Sequence, residues 1–447
     1  MITVALLCAV YVVFAFQLHR SILMKAVPAA LSLLALASLR LRSETRLSVA
    51  LVALPVLVTL HAFGAYMAYQ KTSPSAAAAK AGRSYDTRGK WEVVGDLRAK
   101  GIDAYGSVQP KSVILELGDL GVGDTRIIPL GGVADVTTVY CNEGGGYTIY
   151  ESDERGFNNP KGLWTGTADA AVVGDSYVQG SCVPADQNYV ARLRERRPRT
   201  LNLGMGGNGP LLQLAAVREF IPLLRPKIVL WSYFRNDMTD LSVEKHTPLL
   251  MRYLDGSFRQ GLVEKQAGVD ASLRKEANVF GPAAPKWPSA LASIGLTRTS
   301  TPIWMQDLVM GEDYSAAGTL VRLDTLAMIV DGRFAAASDP PDFELFGKVL
   351  SQARDEIAAA GGTMYFVYIA DMYSNGKVNK LHPLRDQVLA TARAARLPII
   401  DTSPAFEALP DMAAVRYSPV SHCNPAGYAL VASVIDDHLD AHPPEPR

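Results

Sequence analysis

A strand-like run of small and branched residues, AAVV, ends abruptly at Gly174, Asp175 and Ser176. Glycine permits a tight exit from a strand, and a serine at such an exit becomes a nucleophile if a base lies within reach. Near the other end of the chain stands SHCNPAGY at 421–428, with His422 ahead of an amphipathic stretch. Two more polar groups fall where short apolar runs stop. LNLGMGGNGP at 201–210 offers Gly206, Gly207 and Asn208, and WSYFRNDMTD at 231–240 offers Asn236 and Asp237. The Ser176 and Gly207 amides and the Asn236 carboxamide can converge on one developing oxyanion, while His422 takes the proton of Ser176. Each element has an ordinary structural alternative. Serines cap helices, glycines after strands make turns, Asn-Asp pairs cap, and an isolated histidine is commonly structural. Their order at successive strand ends gives them weight.

The positioning elements are legible as an alternation. Apolar runs at 169–175, 200–205, 226–233, 363–370 and 397–400 read as strands, and stretches at 211–224, 343–360, 384–397 and 426–439 read as amphipathic helices. Strands apolar on both faces with helices between them imply a parallel sheet covered on both sides, whose reacting groups lie outside the carboxyl ends of its strands. Residues 240–340 interrupt the rhythm and read as a partly helical insertion.

Gly-Asp-Ser, then an N-x-G-x-x-G-like block, then Asn-Asp, then a C-terminal His before NPAGY resembles the SGNH (GDSL-type) hydrolase superfamily over roughly residues 148–440. The lead-in SDERGFNNP is similar to that of many bacterial members. The resemblance implies a three-layer α/β/α, flavodoxin-like parallel sheet and acyl transfer on oxygen esters, to water or to a sugar hydroxyl. It makes Ser176 the nucleophile and His422 the base, with Gly207 and Asn236 sharing the oxyanion hole with the Ser176 amide. Two departures stand out. Phe234 and Arg235 precede Asn236 where the family carries a glycine. At the family's acid positions, two or three residues before the histidine, stand Val420 and Pro419. Either a backbone carbonyl or a distant acid orients His422, or the chain is slow or inactive.

The bulk numbers bound the rest. With 447 residues the chain is long enough for two or three units. Its 44 basic and 44 acidic side chains give no net charge, which argues against a nucleic-acid partner. There is no CxxC or HExxH spacing, so neither a metal nor another cofactor is expected. Cys8 lies in the first apolar segment. Cys141 and Cys182 can form a disulfide outside the cytoplasm, with three separate buried thiols as the alternative, and Cys423 is left over.

Residues 2–18 and 47–69 carry no charge, and the second stretch is long enough to span a bilayer; 26–39 spans if 21–25 are included. This predicts an anchor of two or three transmembrane helices over 1–70, a linker over 71–83, a small, mostly β subdomain over 84–160, and a catalytic domain over 161–447. Arg40, Arg42 and Arg46 before the last span put that loop in the cytoplasm. The soluble part is then periplasmic, beyond the inner membrane. The resulting expectation is a membrane-anchored esterase acting on O-acyl groups, chiefly acetyl, of envelope or extracellular polysaccharide. The alternatives are an O-acyltransferase fed by a membrane-bound acyl-donor partner, and a catalytically impaired glycan-binding or assembly protein.

Overall fold

The computed structural model describes residues 74–277, 340–374, 379–381, 383–418 and 421–443. Its strands, in chain order, are β1 (Ala104–Gly106), β2 (Leu120–Val122), β3 (Thr125–Ile127), β4 (Thr137–Val139), β5 (Ile149–Glu151), β6 (Ala170–Val173), β7 (Thr200–Asn202), β8 (Ile228–Tyr233), β9 (Thr363–Tyr368), β10 (Met372–Ser374), β11 (Asn379–Leu381) and β12 (Ile399–Asp401).

The main sheet has the order β7-β6-β8-β9-β12, with every neighbouring pair parallel. Counting only these five strands, that is 2-1-3-4-5, a doubly wound order whose switch point falls between β6 and β8. Alternate residues serve opposite faces. Ala171, Val173, Val229, Trp231 and Phe366 pack with the helices Pro210–Leu224, Phe343–Ala359 and Arg385–Ala394. Ala170, Val172, Leu230 and Val367 pack with Tyr189–Leu193 and Pro425–Ala441. Burial on both faces is why β6 and β8 read as continuous apolar runs.

The expected fold class needs correction in two places. Among the described residues no helix is long and apolar enough to cross a membrane. The stretches expected to span, 2–18, 21–39 and 47–69, lie outside the described residues, as does Cys8. Nor is the region after residue 84 mostly β. It carries the helices Lys90–Ala99 and Pro110–Leu117, the antiparallel pair β2-β3 and a mixed sheet β1-β4-β5. SVILEL at 112–117, whose adjacent apolar residues suit a strand within such a subdomain, is helical: Pro110 opens the helix at its first turn and Gly118, at φ 78°, closes it. Only Val93, Val94, Ala104 and Val139 form a small core there. Val108, Val113, Leu120 and Ile127 belong to the same core as Leu201 and Phe220 of the main domain.

The expected tether contains a helix, Pro74–Lys80. The described part of the insertion holds the helices Pro248–Met251 and Gln266–Glu276, following Asp237–Glu244. The remainder, 278–339, lies outside the described residues.

Candidate active site

β6 stops at Val173 because Gly174 has no room to continue with a side chain. A Cβ there would come within 2.3 Å of Val178 Cγ2 and 3.0 Å of the Ser232 carbonyl. Asp175 then caps the short helix Ser176–Gln179, its Oδ1 accepting the Tyr177 N–H at 2.9 Å. The Asp175 carboxyl is buried, and that burial raises its pKa above the ordinary aspartate value. Ser176 thus sits at the carboxyl end of β6, at the switch point.

The last helix positions the histidine. Asn424 caps Pro425–Ala441 with its side-chain oxygen on the Ala426 and Gly427 amides, and Pro425 occupies the first turn. Immediately before this cap, His422 points back so that Nε2 lies 2.9 Å from Ser176 Oγ. The Asp175 Oδ2 contact to the same hydroxyl is longer, 3.3 Å.

The other ring nitrogen answers the question left by Pro419 and Val420. His422 Nδ1 lies 2.9 Å from Glu143 Oε1, and the His422 backbone N–H donates to Glu143 Oε2 at 2.8 Å. A carboxylate only accepts, so Nδ1 carries the proton and Nε2 faces the serine as acceptor. Glu143 stands in the loop CNEGGG between β4 and β5. Asn142 shapes that loop by accepting the Gly145 N–H at 3.0 Å and donating to the Asp86 carbonyl at 2.9 Å. Burial of Glu143 favours its neutral form, but the charge and hydrogen bonds of His422 outweigh this and hold its pKa below the ordinary value. Burial likewise lowers His422, and Glu143 outweighs it, leaving the imidazole above its usual value. Tyr177 packs beside the imidazole at 5.1 Å between ring centroids and against Phe234 at 4.3 Å.

Glu143 is the residue that sequence reasoning missed. Its signal was present in VYCNE: Cys141 and Cys182 form a disulfide, with Cα atoms 5.2 Å apart. That bond brings the residue two after Cys141 into the neighbourhood of the residue six before Cys182. Cys423 is free and buried, and burial pushes its thiol up to about 11. It is therefore protonated near neutrality and no competitor to Ser176.

The expected oxyanion donors lie on the two adjoining strand ends. Gly207 follows β7 with φ 74°, a left-handed conformation that glycine adopts without strain. Asn236 follows β8 at the N-cap of the helix Asp237–Glu244. Behind them lie buried acids: Glu244 accepts the Gly209 and Leu211 N–H groups, and burial pushes it up to about 8.

Among the described residues one group has metal-ligand chemistry within reach: donor atoms of Glu143, Cys182 and His422 lie within 4.8 Å of one another. The Cys182 sulfur is committed to its disulfide and the other two to each other. The arrangement suits proton transfer.

No protein-family model matches the chain, and no curated protein does. Solved structures do. A two-domain esterase (CEX) active on acetylated mannans, crystallised with mannopentaose, is 15% identical with a TM-score of 0.30, over 64% of this chain and 52% of that one. TesA is 11% identical with a TM-score of 0.33, over 61% of this chain and 98% of TesA. A member of the lipolytic G-D-S-L family from Veillonella parvula is 13% identical with a TM-score of 0.30, over 61% and 97% of the two chains. The match spans about half the length of the two-domain esterase.

Proposed function

We propose that this chain is an SGNH-type serine esterase in which Ser176, His422 and Glu143 form the proton-transfer chain. The observation that carries the reading is the unbroken line from Ser176 Oγ to His422 Nε2 at 2.9 Å and from His422 Nδ1 to Glu143 Oε1 at 2.9 Å. Nothing else among the described residues puts a base on the serine hydroxyl with an acid holding the opposite nitrogen, which is the arrangement that activates a serine.

The steps follow from that line. Ser176 Oγ attacks the ester carbonyl carbon as its proton passes to His422 Nε2. Glu143, held in its charged form, stabilises the imidazolium through the Nδ1–H bond. The carbonyl oxygen, now an alkoxide, accepts from the Ser176 and Gly207 amides and from the Asn236 carboxamide. The leaving alcohol takes the proton from His422, and water repeats the sequence on the acyl-enzyme.

The ground for a binding-only reading was the absent acid, and Glu143 removes it. For the substrate we favour an O-acyl, chiefly acetyl, ester of a carbohydrate outside the reducing cytoplasm, a location supported by the Cys141–Cys182 bond.

A fluorophosphonate probe tests the reading. It is expected to label the wild-type protein and not Ser176→Ala or His422→Ala. Equal labelling of wild type and Ser176→Ala, or failure to label either, overturns it.

A further inference from the structure

The oxyanion donor Asn236 is held by two buried carboxyls, Asp175 and Asp240. Its Oδ1 is buried and has no hydrogen-bond partner among the described residues. Its Nδ2 donates to Asp240 Oδ2 at 2.8 Å, one helical turn further on, alongside the backbone bond from Asp240 N to Asn236 O, also 2.8 Å. The NH₂ edge of the carboxamide is therefore the one the carboxyls hold, Asp240 from the same helix and Asp175 beside the serine, because a carboxylate accepts only from that side.

Asp240 is itself secured from a distant part of the chain. Its Oδ1 receives Lys111 Nζ, from the helix Pro110–Leu117. The stem of Lys111 crosses the second donor as well, since a Cβ on Gly207 would lie 2.9 Å from Lys111 Cδ. Asp175, Asp237 and Glu244 crowd the same buried region, and their mutual repulsion adds to burial in favouring neutral forms. Unopposed negative charge behind an oxyanion hole disfavours the alkoxide it must stabilise. The Lys111 ammonium offsets that charge and works against the burial that raises the Asp240 pKa.

We propose that Asp240 and Lys111 are positioning residues of the oxyanion site: Asp240 helps fix the orientation of the Asn236 carboxamide, and Lys111, reaching over Gly207, holds Asp240 in place. The inference rests on the reading of Asn236 as an oxyanion donor. It adds that the region preceding the main domain supplies one arm of the oxyanion site, as it supplies Glu143 to the histidine.

A double-mutant cycle on the full chain, assayed with a chromogenic acetyl ester, separates the two claims. Asn236→Ala alone is expected to lower kcat by about 10²–10³-fold. Asp240→Ala is expected to lower kcat about tenfold with KM unchanged, and to add nothing in the Asn236→Ala background, because both changes remove one donor. Lys111→Met shifts kcat the same way by about threefold, and Lys111→Arg restores it. If Asp240→Ala does not fold, Lys111→Met carries the same cycle. An unchanged kcat in Asn236→Ala overturns the oxyanion reading itself. A full loss in Asn236→Ala, with an undiminished further loss from Asp240→Ala or Lys111→Met, keeps that reading and overturns the positioning role.

Discussion

Glu143 and His422 stand 279 residues apart in the chain, yet they meet through two hydrogen bonds, one to the ring and one to the backbone N–H of the histidine. The double contact fixes the ring plane as well as its charge. Glu143→Gln keeps the size and an acceptor oxygen but removes the charge that stabilises the imidazolium. The expected loss in kcat is about 10²–10⁴-fold, as for the acid of other serine triads. Steady-state kinetics with the folded variant, checked by circular dichroism, measures it; a loss under threefold contradicts the role given to Glu143.

The same pair sets a pH dependence. His422 must be neutral to accept the serine proton, and Glu143 raises its pKa above 6.5. kcat/KM is therefore expected to rise with pH to a plateau, with its midpoint above that value. In Glu143→Gln only the charge of Asp175 still opposes burial, and the midpoint moves down. Stability follows its own rule. The raised His422 contributes stability that is complete below 6.5 and fades as pH rises through its folded value; the lowered Glu143 contributes above 4.5 and fades as pH falls through its folded value. The melting-temperature gap between wild type and Glu143→Gln should be widest between those limits. A gap independent of pH contradicts the coupling.

The disulfide has two consequences that separate in the test tube. Cys141 and Cys182 are 41 residues apart, and closing a loop of that size is worth about 4 kcal/mol through the unfolded state. Its removal also frees the loop carrying Glu143 from the segment following Ser176. Cys141→Ser/Cys182→Ser should melt at a lower temperature and, below that temperature, show reduced kcat with an acid limb shifted as in Glu143→Gln. A stability loss with an unaltered pH profile would mean that the bond holds the fold but not the acid.

What the sequence made legible was the part governed by local pattern. The strands β6, β8 and β9 are buried on both faces, so each reads as a short apolar run; Gly174, Gly207 and Asn236 fall just past strand ends, and His422 stands ahead of the last helix. Asn424 and Pro425 mark the start of the last helix by cap chemistry alone. What escaped was long-range. Glu143 sits in a glycine-rich loop whose backbone shape predicts nothing about an acid's partner, and its position depends on a disulfide and on Asn142 reaching back to Asp86. Val113 and Ile114 misled because adjacent apolar residues fit a strand as well as a helix, until Pro110 and Gly118 are weighed as start and stop. The lead-in SDERGFNNP carried a resemblance but no visible purpose; in the structure it is a clamp.

That clamp centres on Asp153, whose two oxygens accept the Arg155 and Phe157 amides, the Asn159 carboxamide and the Trp164 indole N–H, at 2.7–2.9 Å. Asn159 in turn pairs with both backbone groups of Asn202 at the end of β7, and Asn158 donates to the carbonyl of Gln179, the last residue of the helix that starts at Ser176. Asp153 is fully buried, and burial pushes it up to about 6 despite these donors. Asp153→Ala takes the acceptor from four donors at once, three of them buried. Each orphaned group costs about 1–3 kcal/mol, so the variant is expected to lose several kcal/mol by denaturant unfolding and to express poorly. Asp153→Asn retains one acceptor oxygen and places an NH₂ where donors now point, so it should recover only part of the loss. A cost under about 1 kcal/mol for Asp153→Ala is what an exposed, unpaired side chain shows, and it would contradict the clamp that ties this segment to the loops around Ser176 and Gly207.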